Sequence, residues 1–566
     1  MTAPTVTTSA TATAAVDDAT GELVAQLERE PPGQVSTSVY ETGRLVADAP
    51  WLTGHARRLG YLLGQQGADG AWGGAGGYAL VPTASAVEAL LADLVRVDPA
   101  DSGGHLRTDP ADSGDRAMAD QAEPRGLTRA DLAVAAFRGL IALARRLDAA
   151  QSMPDTPAAD LIVPALAARI DTHLARLHDL DDPSVNGAPR ALPPVDRRRL
   201  DAVGALLVTD RRVPDKLWHA YEVLGPAAAG RPEVRPVAGA VGASPAATAA
   251  WLGHRPAADR AARTYLDDVV ARHGGPVPCC TPITAFERSW TLATLARVGL
   301  PVRPSPGLVA ELADALGPTG AATGPGLPAD ADTTSVVLYA LARLGRPVEP
   351  ASLAHYDLGG HFCTWRGEDG HSVTTNAHVL EALGWHARHS RDGAGRYAAR
   401  VATLADWLSD RQQRDGHWVD RWHASQYYAT CCVVLALAGY APPGTASGAV
   451  DRAVDWVLAT QRADGGWGRW ASTAEETAYA VQILLATGQR SRPEVPPAVR
   501  RALPHLSTDG NDHPPLWHDK DLYAPLLIVR AAVLAARRLA VEVAGPPSEG
   551  VPVAGDPGRP GHDHEA

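Results

Sequence analysis

The sequence predicts an all-α protein assembled from rings of paired helices, and three observations carry that expectation. Apolar residues recur at three- and four-residue intervals in the Ala/Leu-rich stretches 83–95, 131–147, 334–345, 376–390, 427–440 and 476–488. Gly and Pro punctuate these stretches without a series of alternating strands between them, and short strands are expected only near Val277, where prolines cluster. The third observation is an internal repeat. Gln66-Gly67-Ala68-Asp69-Gly70-Ala71-Trp72 returns as Gln412-Gln413-Arg414-Asp415-Gly416-His417-Trp418 and as Gln461-Arg462-Ala463-Asp464-Gly465-Gly466-Trp467. Each copy leads through a loop into an Ala-rich helix opened by Thr or Ser. One such unit cannot bury its own face, so several must close on each other. The glutamine is expected to bond the next helix and the tryptophan to stack over it, both as structure.

Along the chain, residues 1–30 lack a basic region and a leucine-rich run and read as a floppy leader rather than a signal peptide. The stretch 98–125 holds a near-duplication, DPADSG at 98–103 and again at 109–114, and is expected to be a disordered insertion. The tail 541–566 is expected to be disordered as well. A net charge of −12 argues against a nucleic-acid or anionic-membrane surface, and no run approaches the roughly 20 apolar residues of a membrane span. Five cysteines without a CxxC exclude a disulfide scaffold and suit the cytoplasm. Lysine occurs only as Lys216 and Lys520, in the similar settings DKLWHAY and LWHDKDLY, while arginine supplies all other cations. They are either chance survivors of an arginine-rich composition or a pair of compact cationic heads suited to a phosphate ligand.

Two acidic motifs compete for attention. Asp179-Leu180-Asp181-Asp182 is followed at once by Pro183 and by no periodic helix, so it reads as a solvated acidic loop. Asp330-Ala331-Asp332-Thr333-Thr334-Ser335 opens an apolar helix. On the residues alone, that second motif reads as an acidic helix cap before it reads as catalytic.

The three repeats resemble the QW motifs of triterpene cyclases and class II diterpene cyclases, and the acidic motif is similar to their D-x-D-D, in the D-x-D-T-T form of bacterial cyclases that make halimadienyl or drimenyl diphosphates. Ser36–Thr42, Asp160–Leu166, Val213–His219, Gly242–Ala249 and Thr284–Trp290 resemble further segments of diterpene cyclases in the same order. The resemblance implies two α-barrel domains in the βγ arrangement. The β domain would comprise 31–50 and 291–540, and the γ domain 51–290, with the active site between them.

It further implies a reaction begun by protonating an alkene, a base so weak that the donor must be a neutral carboxylic acid in a dry pocket. Asp332 is the expected acid, with Asp330 and Thr333 orienting it and reloading its proton. Trp290, Trp365, Trp422 and Tyr339 are candidate walls for the carbocation. His219, Asn376 and His378 are candidates for the group that ends the reaction. Lys216, Lys520 and Arg288 are expected to hold the diphosphate, and Mg²⁺ to bridge through Asp160 or Glu222. The D-D-x-x-D motif that ionises diphosphates is absent from the sequence, so the product should keep its diphosphate and pass to a class I terpene synthase or a phosphatase. Geranylgeranyl diphosphate is the expected substrate, with farnesyl diphosphate going to drimenyl diphosphate as the alternative. A helical-toroid glycosidase and a non-catalytic scaffold are the rivals from other classes.

Overall fold

The computed structural model describes residues 5–96, 126–149, 155–180, 182, 187, 189–208, 213–506, 513–541 and 543. Helix α1 (Thr5–Arg29) comes first. Eight helices follow: α2 (Val39–Asp48), α3 (His55–Gly64), α4 (Leu80–Arg96), α5 (Arg129–Asp148), α6 (Ala159–Asp179), α7 (Arg198–Val208), α8 (Pro245–Leu252) and α9 (Arg260–His273). The remainder are α10 (Thr284–Arg297), α11 (Pro306–Asp314), α12 (Ala331–Arg343), α13 (Val373–His389), α14 (Gly393–Ser409), α15 (Gln426–Tyr440), α16 (Ser447–Ala459), α17 (Ala474–Ala486), α18 (Val495–Ala502) and α19 (Leu526–Ala540). Strands β1 (Trp517–His518) and β2 (Leu522–Tyr523) pair antiparallel just before α19.

The helices form two rings. In the larger, α10, α12, α13, α15, α17 and α19 pack each on the next, and α19 closes back on α10. Outside them lie α1, α11, the 3-10 segment Pro350–Tyr356, α14, α16 and α18. Helix α15 is buried on nearly every side, which is why it is apolar all round rather than striped. In the smaller ring α2, α4, α6, the 3-10 segment Asp215–Ala228 and α8 close in turn, with α3, α5, α7 and α9 outside.

This layout corrects several expectations. Residues 5–29 are helix, not floppy leader, and Val16, Leu23, Val24 and Leu27 enter the core of the larger ring. Helix α2 packs on α4 and α8, so it belongs to the smaller ring rather than with 291–540. The larger ring resumes at Thr284 instead of 291, because α10 is one of its inner helices. The two-residue strands lie at 517–523; near Val277 the chain makes an isolated antiparallel bridge, Thr37 with Pro278, rather than a strand. The acidic stretch at 179–182 is not simply solvated: Asp182 is buried and paired with Arg129. Gly76–Arg96 is long and apolar enough to cross a membrane, yet 89% of its most apolar window is buried inside the protein. The insertion at 98–125 and nearly all of the tail lie outside the described residues.

The repeats work as the sequence suggests. Gln412 Nε2 donates to Gly416 O at 2.7 Å in its own turn and to Ala449 O at 2.8 Å in α16. Gln461 does the same with Gly465 O and with Ala498 O of α18, at 2.7 and 2.8 Å. Gln66 bonds Gly70 O and Ala135 O of α5, both at 2.9 Å. Each glutamine oxygen also accepts from an arginine one turn further on: Arg138, Arg452 and Arg501. Trp72, Trp418 and Trp467 are buried, their indole N–H groups donating to Leu62 O, Leu408 O and Val457 O. The partner lies 37 residues on in the two later copies and 69 in the first. The insertion between α4 and α5 accounts for that longer span. Glycine is required in the turn: at Gly416 (φ +110°) an added Cβ would stand 2.3 Å from Arg452 O.

Gly416→Ala therefore combines a strained backbone with a clash against α16. It should lower stability by about 2 kcal/mol or more, read as a reduced urea midpoint in tryptophan fluorescence. An unchanged midpoint would contradict the close approach.

Candidate active site

Helix α12 starts where it does because Asp330 caps it. Asp330 Oδ1 accepts from Thr333 N at 2.6 Å and Oδ2 from Thr333 Oγ1 at 2.9 Å. Thr334 Oγ1 donates to Asp330 O at 2.5 Å and accepts from Ala321 N at 2.9 Å, which fixes the preceding loop. Capping and orienting are thus one role here. Burial pushes the Asp330 carboxyl up to about 8; the Thr333 N–H works against this and the neighbouring Asp332 carboxylate adds to it. Asp332 sits at the second position of α12. His378 Nδ1, on the second turn of α13, lies 2.7 Å from Asp332 Oδ1.

Aromatic rings surround this pair. The His378 ring meets Trp290 edge-on at 5.3 Å, and Trp290 Nε1 donates to Tyr428 OH at 3.1 Å. Phe286 lies 4.5 Å from Trp290, Trp517 lies 4.6 Å from Tyr428, and His423 stacks on Tyr428 at 4.6 Å. Tyr339 is two turns along α12 from Asp332 on the same face, roughly 10 Å deeper, where its hydroxyl accepts from Tyr440. Sequence reasoning singled out Trp290, Tyr339 and His378 but missed Tyr428, Trp517 and His423. Phe286 stood unremarked inside the quoted segment Thr284–Trp290.

A second group gathers at the seam between the rings. Lys216 Nζ, exposed on the smaller ring, donates to Gly367 O of the larger at 3.4 Å. Arg421 reaches Asp155 Oδ1 at 2.9 Å, and Arg199 joins Asp160 at 2.8 Å to Asp369 at 3.1 Å. Trp365 and Trp422 meet edge to face at 5.3 Å beside them. Thr364 O, next to Trp365, accepts from Ala331 N at the head of α12, so the seam adjoins the acid. Four predicted residues, Lys216, Asp160, Trp365 and Trp422, thus converge. Glu368, three residues after Trp365 and raised by burial against the Thr364 N–H and the pull of Arg421, went unremarked in the sequence.

Other candidates fall elsewhere. Lys520 is fully buried; its ammonium pairs with Glu41 and lies 3.1 Å from Glu222 Oε1, 2.9 Å from Ser244 Oγ and 2.8 Å from His219 O. With its donors used inside the protein it does not hold a diphosphate. Burial alone would lower its pKa, but Glu222 and Glu41 hold it above the ordinary lysine value. Glu222 also accepts from Tyr40 OH at 2.6 Å and is buried, so it does not fit a metal. His219 donates Nδ1–H to Gly242 O at 2.7 Å and faces Asp519 through Nε2 at 2.8 Å. Burial would lower its pKa, but Asp519 raises it, so both nitrogens are committed. Asn376 spends its amide on Phe362 N, Phe362 O and Ser372 O. Arg288 pairs with Glu311 on α11. Among the described residues no group of three or more His, Cys, Asp or Glu converges on a metal position. Asp160 and Asp369 do present hard carboxylate oxygens at the seam, exposed at 38% and 85%, and this donor chemistry fits Mg²⁺ shared with a diphosphate.

Known proteins share this architecture. Residues 368–524 match the squalene-hopene cyclase C-terminal domain. The chain is 42% identical over 545 residues to the ent-copalyl diphosphate synthase of Streptomyces sp. (strain KO-3988), covering 94% of this chain and 98% of that one. It is 41% identical over 541 residues to the labda-7,13-dienyl diphosphate synthase of Streptomyces clavuligerus, covering 92% of each. The solved structure of ent-copalyl diphosphate synthase from Streptomyces platensis superposes with a TM-score of 0.83 at 44% identity, over 93% of this chain and 99% of that one.

The two lysines should separate cleanly. Lys520→Met leaves Glu41 and Glu222 buried without their cation and should cost about 3–5 kcal/mol of stability. Lys216→Ala, at an exposed position, should stay within about 0.5 kcal/mol of wild type. Paired thermal melts check both; equal melting temperatures would contradict the buried ion cluster.

Proposed function

The chain belongs to the copalyl diphosphate synthase family of class II terpene cyclases, and within that family we propose that it converts geranylgeranyl diphosphate to a bicyclic labdane- or halimane-type diphosphate. The C20 substrate is supported by relatives named for copalyl and labdadienyl diphosphates. Membership sets aside the glycosidase and scaffold readings. The observation that carries the mechanism is the 2.7 Å contact between Asp332 and His378 inside an aromatic surround.

Asp332 is the general acid. With Oδ1 accepting from His378 Nδ1–H, Oδ2 carries the proton that passes to the terminal alkene. Asp330, neutral below about pH 8, adds no negative charge beside it, and Thr333 links that carboxyl to the Thr323 hydroxyl at 3.2 Å. Trp290, Tyr428, Phe286 and Trp517 stabilise the cations by their π faces, and Tyr339 closes the deep end. Lys216, with Arg199 and Arg421 beside it, holds the diphosphate at the seam, where Trp365 and Trp422 flank the chain. Asp160 and Asp369 would hold Mg²⁺, which would offset part of the diphosphate charge when bound. The reaction leaves the diphosphate attached, so its consumer is an ionising class I terpene synthase or a phosphatase. All five cysteines are free thiols, which suits the reducing cytoplasm.

The test is incubation with C15 and C20 prenyl diphosphates plus Mg²⁺, then phosphatase treatment and mass spectrometry of the alcohols. A bicyclic C20 alcohol is expected, reduced about 100-fold or more in Asp332→Ala. A bicyclic C15 product alone would favour drimenyl chemistry; unaltered substrates, or an active Asp332→Ala, would overturn the reading. Because Asp330 loses its proton as pH rises through about 8 and places a negative charge beside the proton donor, which makes Asp332 a weaker acid toward the alkene, kcat should fall across that range. Asp330→Asn should remove that alkaline limb.

A further inference from the structure

The inner helices of the larger ring follow the order α10, α12, α13, α15, α17, α19, so α12 and α17 stand opposite each other. Asp332 is the second residue of α12 and Glu475 the second residue of α17. Between them runs a continuous aromatic path: Asp332 to His378, His378 to Trp290, Trp290 to Tyr428, and Tyr428 to Trp517. Trp517 ends it by donating Nε1–H to Glu475 Oε1 at 2.8 Å. The same oxygen accepts from Tyr479 OH at 3.0 Å and faces His423 Nε2 at 3.2 Å. His423 Nδ1 accepts from Ser425 N at 2.9 Å, which leaves the proton on Nε2 and makes it the third donor. Glu475 Oε2 has no hydrogen-bond partner among the described residues, although the side chain is 1% exposed. Leaving a buried carboxylate oxygen unpartnered is costly, and the aromatic rings around it offer nothing else to bond.

Building on the cyclase reading, we propose that Glu475 is the base that ends the cyclisation. In the last step a C–H bond next to the cationic carbon breaks and its electron pair becomes the new C=C. The proton passes to Glu475 Oε2, and the cation is neutralised. Trp517, Tyr479 and His423 hold Oε1 so that Oε2 faces the substrate. The proton thus enters from α12 and leaves on α17, and the ring is crossed between them.

The experiment uses full-length enzyme with geranylgeranyl diphosphate and Mg²⁺, with product analysis after phosphatase. Glu475→Gln, nearly isosteric but not basic, should form the wild-type product about 100-fold more slowly. Substrate should still be consumed, as hydroxylated or rearranged diphosphates from cations that water captures. Formate added to Glu475→Ala should restore the wild-type product ratio. An unchanged product ratio in Glu475→Gln, or a uniform loss of all products with a lowered melting temperature, overturns the assignment. Should Glu475→Gln fail to fold, Tyr479→Phe removes one orienting donor and should shift the ratio; an unshifted ratio in a folded Tyr479→Phe overturns it equally. If wild-type enzyme leaves both prenyl diphosphates unaltered, the cyclase reading falls first, whereas failure of the base alone leaves wild-type product intact.

Discussion

The two rings depend on one buried ammonium. Lys520, on the turn between β1 and β2 of the larger ring's last hairpin, is surrounded by Glu41 of α2, Glu222 of the 3-10 segment and the Ser244 cap of α8. Three walls of the smaller ring therefore meet on one charge that comes from the larger. Around it the hairpin adds Asp519 to His219 and Asp521 to Ser38, the cap of α2. Burial would raise Asp519, yet His219 and Lys520 hold it down at about 2, while burial raises Asp521 to about 6 and Glu41 to about 7. Desolvating so many ionisable groups is tolerable only because they face one another. The cost is recovered as a fixed angle between the rings, and that angle sets the seam on which Lys216, Arg421 and Trp422 meet.

Much of this was legible in the residues. The repeats announced a ring because glutamine, glycine and tryptophan each do a backbone job that survives in spelling: Gly416 has room for no Cβ, and Gln412 finds the next helix. The start of α12 was legible because Asp330 caps it through the Thr333 N–H. What failed was charge. Lys216 and Lys520 look alike in sequence, but one is exposed and the other fully buried, because the hairpin that carries Lys520 inserts into the smaller ring. Local context cannot reveal an insertion among residues more than 270 positions away.

The missed residues share a cause as well. Tyr428, His423 and Trp517 come from a helix, the loop before it and the hairpin, and they form a wall only once the ring is closed. Glu475 had one clue, its place at the second position of an inner helix after a repeat. Asp332 holds the same place on α12. The early helix likewise hid behind its composition: the Ala/Thr-rich start reads as floppy, but Leu23 and Leu27 give it a face to bury on α19.

The caps of the inner helices have an electrostatic consequence. Asp332, Tyr428 and Glu475 lie in the first turns of α12, α15 and α17, so on the proposed mechanism those helices bring their N-terminal ends to the place where cations form. Each bare helix start carries roughly half a positive charge. A ring of them would repel the very intermediates the enzyme makes. Asp420 at the start of α13, and Glu475 with Glu476 on α17, set carboxyl groups at such ends. The helix caps thereby turn a repulsive rim into a neutral or attractive one. In a cyclase of this build, exchanging an acidic cap for a neutral one is a change of field as much as of stability.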